Sequence, residues 1–181
     1  SITLEPYEHP QLSGNEVKTN TGTKMTRQAI NVARVRRQRG SNEITTVPDL
    51  IASNKHNLIG HDGEDILIFG MEFSVDYLAT TSVIFADGTF TCVLSGYSQL
   101  YIIHAVVQND VSFPFLFCLL KRKDEATYVR LLLKTEELSR EKGVTIFDRR
   151  VRVMCDFEIA FINTIKRTFD AVIIKCCFFI T

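Results

Sequence analysis

The chain has 181 residues, 45% of them apolar, which suffices for one core. Lys+Arg and Asp+Glu both total 21, so the overall balance points to neither an acidic nor a basic partner. Five cysteines (Cys92, Cys118, Cys155, Cys176, Cys177) with no CxxC pair argue against a disulfide scaffold and for a reducing compartment. No run reaches the roughly 18 apolar residues of a membrane span, and the opening is unlike a signal peptide. The expectation is a soluble intracellular protein. Ser1 at the start and the strand-like KCCFFIT at the end read as cut ends of a longer one.

Residues 1–22 hold Pro, Asn, Gly and Ser without period and read as a linker. Residues 23–40 are helical in pattern: Met25, Ala29, Val32, Ala33 and Arg36 share a face, and Gly40 is a stop. Seven basic residues fall between Lys18 and Arg39. Arg27, Arg34, Arg36, Arg37 and Arg39 make this segment either a solvated basic helix or a phosphate-contacting one. Residues 41–80 are polar and broken by Pro48, Gly60 and Gly63, an irregular connector with short strand candidates at Ile66–Phe69 and Tyr77–Ala79. His56 and His61 there have no metal-ligand spacing.

From Thr81 the pattern sharpens. Val83–Val93, Leu100–Gln108 and Phe113–Leu120 are apolar runs separated by hairpin-length breaks, which predicts an antiparallel meander. Asp124 caps a predicted helix closed by Gly143, with Tyr128, Leu131, Leu132, Thr135 and Leu138 at helical spacing. A strand over Arg150–Phe157 follows, then a helix over Glu158–Phe169 with Ile159, Ile162, Ile165 and Phe169 on one face. A last strand covers Ala171–Phe179. The order β-β-β-α-β-α-β describes an α/β protein with the mixed sheet of the ribonuclease-H-like fold, C-terminally truncated and preceded by the basic helical segment.

Asp87 interrupts the first of these strands, VIFADGTFTC, where an unpaired carboxylate costs roughly several kcal/mol. In the predicted topology that strand neighbours the one ending near Asp156, so the two acids can converge at one sheet edge. Hard oxygen ligands suit Mg²⁺ or Mn²⁺, and a cation would explain a carboxylate in that place. Glu158, at a helix start, reads as a cap favoured by the dipole. His104, within LYIIHAVV, reads either as a core residue or as a neighbour of the site.

FADGTF, SQLYIIHAV, MCDFEIAFINTI and the closing CFF occur in an order that resembles the MULE (Mutator-like element) transposase domain. The matching pieces are Asp87–Phe90, Gln99–His104, Phe113–Leu120 with Pro114, Glu125–Tyr128, Met154–Glu158 and Cys177–Phe179, so residues 81–181 read as a partial domain of that kind. Glu8-His9-Pro10 resembles the tail of a FLYWCH zinc finger, with His9 as an orphaned zinc ligand or an ordinary linker histidine.

The resemblance implies a DDE-type transposase: metal-dependent DNA cleavage and strand transfer at transposon ends, in the nucleus, with homo-oligomers among its partners. Asp87 and Asp156 carry over as catalytic, metal-binding acids, with Mg²⁺ or Mn²⁺ as cofactor. Two departures matter. The family's third acid, a downstream Glu, falls beyond Thr181, and Ile180 stands where the family has His. Both point to weak metal binding and an inactive fragment. The alternative is a domesticated DNA-binding or protein-interaction module that keeps the fold without catalysis.

Overall fold

The computed structural model of the chain describes residues 47–63, 65–89, 96–107 and 111–176. The basic segment with Arg27, Arg34, Arg36, Arg37 and Arg39, His9, and the closing residues from Cys177 lie outside these. The described elements are α1 (Val47–Ser53), β1 (Leu58–Asp62), β2 (Ile66–Gly70), α2 (Ser74–Thr80), β3 (Val83–Thr89), β4 (Gln99–Val106), β5 (Ser112–Leu120), α3 (Glu125–Glu141), β6 (Val151–Cys155), α4 (Ile159–Thr168) and β7 (Val172–Cys176).

The strands form one mixed sheet in the order β1-β2-β5-β4-β3-β6-β7, an α/β arrangement. β3, β4 and β5 are the antiparallel meander that the short polar breaks predict. β6 and β7 add in parallel beyond β3, each reached through a helix because a parallel return needs a long crossover. Near the start of β5 its register with β4 shifts between Ile103 and His104. Pro114, which has no N–H to give a ladder, sits opposite His104 at this bulge.

Burial alternates along β3, β4 and β6 because successive side chains take opposite faces. One face carries α2, α3 and α4 over a core that includes Ile84, Tyr101, Cys118, Tyr128, Leu131 and Val153. On the other face Leu67, Phe69, Leu100, Phe117 and Leu119 form a smaller cluster, with Ile51 of α1 packed on it. Cys118 and Cys155 are buried and Cys176 is exposed. Among the described residues no helix is long and apolar enough to cross a membrane.

Three expectations are corrected. The described part of segment 41–80 is regular: β1 and β2 are an antiparallel hairpin that extends the sheet beyond β5, and every residue of β2 is buried. Tyr77–Ala79 belongs to α2 instead of a strand. Val75 and Leu78, three apart, both enter the core, and the Tyr77 ring stacks on Phe115 at 4.5 Å. In α4, Ile159 does not share the buried face. It is 66% exposed, whereas Phe161, Ile162 and Ile165 are buried. Ile159 is the first helical residue.

α3 is held at both ends as its sequence predicts. The Asp124 carboxylate accepts from the Thr127 N–H at 2.8 Å, and Gly143 adopts φ 73°, a left-handed conformation that suits glycine at a helix end. Inside the helix Glu136, 1% exposed, turns inward. Its Oε2 accepts from the Ile146 and Phe147 N–H groups at 3.0 and 2.8 Å, tying the segment before β6 onto α3.

Candidate carboxylate site

Parallel pairing of β3 with β6 brings the two predicted acids together. The last residues in register are Ala86 and Cys155, so Asp87 and Asp156 each stand one residue further, side by side at the same sheet edge. Asp87 is half-buried and lies on the sheet face opposite Ala86, which is in the main core. Its pKa is raised, first by desolvation and then by the negative charge of Asp156, against a smaller lowering by a hydrogen bond from the Gly88 backbone. The edge thus holds a carboxylate whose nearest charged neighbour repels it, which is the electrostatic situation a cation relieves. Two carboxylates are hard oxygen donors suited to Mg²⁺ or Mn²⁺. Among the described residues no group of three His, Cys, Asp or Glu side chains forms a ready metal cluster.

A buried polar chain runs behind this edge. Gln99, wholly buried at the start of β4, donates from Nε2 to the Tyr128 hydroxyl on α3 at 2.6 Å. That hydroxyl lies within electrostatic reach of the Glu158 carboxylate, whose Oε2 is buried without a hydrogen-bond partner. The Glu158 N–H in turn donates to Asp156 Oδ1 at 3.2 Å. β4 and α3 are therefore hydrogen-bonded to each other, and the entry to α4 is hydrogen-bonded to one of the candidate carboxylates. Glu158 precedes α4 at its N-cap position, as expected, but its side chain makes no capping hydrogen bond. It lies near the Tyr128 hydroxyl instead, with Oε2 buried and without a hydrogen-bond partner. Desolvation raises the Glu158 pKa, the nearby Tyr128 hydroxyl opposes this, and the Asp156 charge adds to it.

Burial raises the pKa of Tyr101 and Tyr128, so both keep their hydroxyl protons. Removing the Tyr128 hydroxyl leaves the Gln99 amide buried with no hydrogen-bond partner, since Gln99 Oε1 already has none. Tyr128→Phe is expected to cost about 1–3 kcal/mol in urea unfolding. A cost near zero would mean that the chain is not a holding element.

The glycine of the DGT stretch has a packing reason. Gly88 pairs with Tyr101 across the β3–β4 ladder, and a Cβ there would lie 2.9 Å from Gln99 Oε1 and 3.3 Å from Tyr101 Cδ2. Both neighbours are fully buried, and Gln99 is pinned by Tyr128, so neither yields easily. Gly88→Ala is expected to destabilise by about 1–3 kcal/mol, read as a lower denaturation midpoint with unchanged slope.

His104 pairs with Phe85, two residues before Asp87, and therefore lies on the Asp87 face, deeper in the sheet. Burial lowers its pKa and favours the neutral ring. The polar chain was not anticipated as a network, although Gln99, Tyr101, Tyr128 and Glu158 all stand within the quoted motifs. Their mutual contact depends on strands and helices far apart in sequence. No family model, no curated protein and no solved structure matches this chain.

Proposed function

We propose that the chain carries the core of a ribonuclease-H-like nucleic-acid-processing domain of the MULE transposase kind, with Asp87 and Asp156 as two of its metal-binding acids. The observation that carries the reading is their position. They stand at the same ends of adjacent parallel strands, next to an antiparallel meander in the order β5-β4-β3-β6-β7. Asp87 and Asp156 would hold Mg²⁺ or Mn²⁺, which in such sites activates an attacking oxygen and stabilises a leaving one at a phosphodiester. The chain's own residues supply the orientation: Glu158 N–H donates to the Asp156 carboxylate, and the Gln99–Tyr128 hydrogen bond ties β4 to α3 behind it. DNA is the proposed partner, reached in the nucleus, with homo-oligomers as further partners. Arg27, Arg34, Arg36, Arg37 and Arg39 are proposed as a DNA-contacting surface outside the sheet domain.

A second reading keeps the fold for DNA or protein binding without catalysis. Ile180, standing where the resemblance has His, favours it for this chain. Calorimetric titration with Mn²⁺ tests the metal site directly. Wild type is expected to bind weakly and Asp156→Ala to lose at least tenfold in affinity. Equal affinities in the two proteins would sink the carboxylate-site reading. Mn²⁺ binding without nicking of a DNA duplex would select the non-catalytic one.

A further inference from the structure

The sheet face that carries Asp87 is covered unequally. Among the described residues α1 is the one helix on it, with Ile51 packed on the cluster around Leu67, Leu100 and Leu119. From β4 to β7 the same face stays partly open: Val83, Met154 and Asp87 are half-buried, and Ile173 is 36% exposed. Register sets these side chains in rows across the strands. Val83, Arg152 and Ile173 make one row. Met154 stands two residues further along β6, and Asp87 and Asp156 close the face two residues beyond that.

The charges on this face are separated along the strands. Arg152 is exposed and makes no ion pair among the described residues. Four residues on, about 13 Å along the strand, Asp156 sets its charge against that of Asp87. One end of the face is therefore cationic, the other anionic, with apolar side chains between and beside them. A face of this kind is complementary to itself. Turned through a half circle about an axis that crosses the strands at Met154, it brings Arg152 opposite Asp156 and Met154 opposite its own counterpart. Stacked sheets lie about 10 Å apart, which side chains from two facing layers fill. The acidic pair then gains the cation that its own chain does not provide.

We propose that two copies of the chain meet through this face, with Arg152 of each copy against Asp156 of the other and Val83, Met154 and Ile173 buried between them. Only the charge of the acids is needed, so the interface goes beyond the metal-site reading and stands without it. Four strands of five residues make a patch of about 300 Å² in projection. Side-chain relief enlarges this but leaves it below the roughly 800 Å² per partner of a standard stable interface. The dimer is therefore weak and concentration-dependent. Lys175, in the row of Met154, belongs to the outermost described strand and stays at the solvated rim.

The experiment is sedimentation equilibrium of the full chain over a concentration series, in EDTA so that no metal contributes. Wild type is expected to pass from monomer to dimer with a Kd of about 10–100 µM. Arg152→Glu sets like charges against each other across the interface and is expected to weaken association at least about tenfold, and Asp156→Arg likewise. The two changes together exchange the charges and should restore the wild-type Kd to within about threefold. Arg152 is exposed, and an unchanged melting temperature in dilute solution excludes a folding defect. That variant decides the matter alone if Asp156→Arg does not fold. Wild type that stays monomeric to about 1 mM would overturn the proposal. So would wild-type association in Arg152→Glu, or a folded double variant as weak as the single ones. If Asp156→Ala loses Mn²⁺ while Arg152→Glu associates normally, the metal site stands and the interface fails. The opposite pattern keeps the interface and removes the metal site.

Discussion

Glu136→Ala is expected to lower stability by about 3–4 kcal/mol, the largest loss from any single truncation considered for this fold. The carboxylate is 1% exposed and is the acceptor for two consecutive backbone N–H groups, those of Ile146 and Phe147. Alanine leaves both amides buried and unpaired, each at about 1–3 kcal/mol. It also removes the charge that offsets the desolvation of Arg149. Arg149 donates to the carbonyls of Leu78 and Thr81, so α2 loses support with it. In a domain of this size the melting temperature should fall by about 10 °C. Glu136→Gln is the informative control: one amide oxygen can still accept from both N–H groups, and the loss should be about 1 kcal/mol. If alanine and glutamine cost the same, the charge and not the two hydrogen bonds holds the segment.

Asp87→Asn should have the opposite sign. Burial and the Asp156 charge raise the Asp87 pKa above its ordinary 3.8, so the folded state binds this proton more tightly than the unfolded chain does. The stabilisation is fully present below the unfolded pKa and is lost as pH rises through the folded one. At neutral pH the ionised group is therefore a liability. Asparagine removes it and should raise the melting temperature in EDTA by a few degrees. That corresponds to no more than about 1 kcal/mol, since the side chain is half-exposed and solvent screens the repulsion. Saturating Mn²⁺ should reverse the ranking. At a hundredfold excess over Kd it would stabilise wild type by about 2.7 kcal/mol and leave Asp87→Asn nearly unchanged. Melting curves with and without Mn²⁺ at pH 4 and pH 7 measure both effects. A variant no more stable than wild type in EDTA at pH 7 would contradict the repulsion.

Much of the sheet could be read from the sequence because its strands announce themselves. β3, β4 and β5 lie within a residue or two of the apolar runs at their N-terminal ends, and α3 spans Glu125–Glu141 between the expected cap and stop. β1 could not be read that way. LIGHD carries Gly60, His61 and Asp62, and an edge strand needs apolar side chains only where it touches the layer beneath. Tyr77–Ala79 is too short for period two and period 3.6 to be told apart, so only the packing of Val75 and Leu78 identifies a helix.

Of the site, the two aspartates were legible because a charge inside an apolar run has few explanations. Within the fold, Glu136 was not legible, because its partners are backbone amides ten and eleven residues on, which no side-chain pattern marks. Lys121, Arg122 and Lys123 follow β5 at the carboxylate edge, a place that only the sheet register gives them.

The parallel contact between β3 and β6 also sets a folding order. Asp87 and Asp156 are 156 − 87 = 69 residues apart, whereas β3, β4 and β5 follow one another directly. Meander strands close short loops and can pair early, but β6 must wait for α3 and pays a larger closure entropy. Until it docks, β3 is an open edge with an apolar flank and no opposing carboxylate beside Asp87. The repulsion between the acids therefore arises only when β6 pairs with β3. Asp87→Asn should accelerate that step if β6 docking lies at the transition state, and should slow unfolding instead if docking follows it.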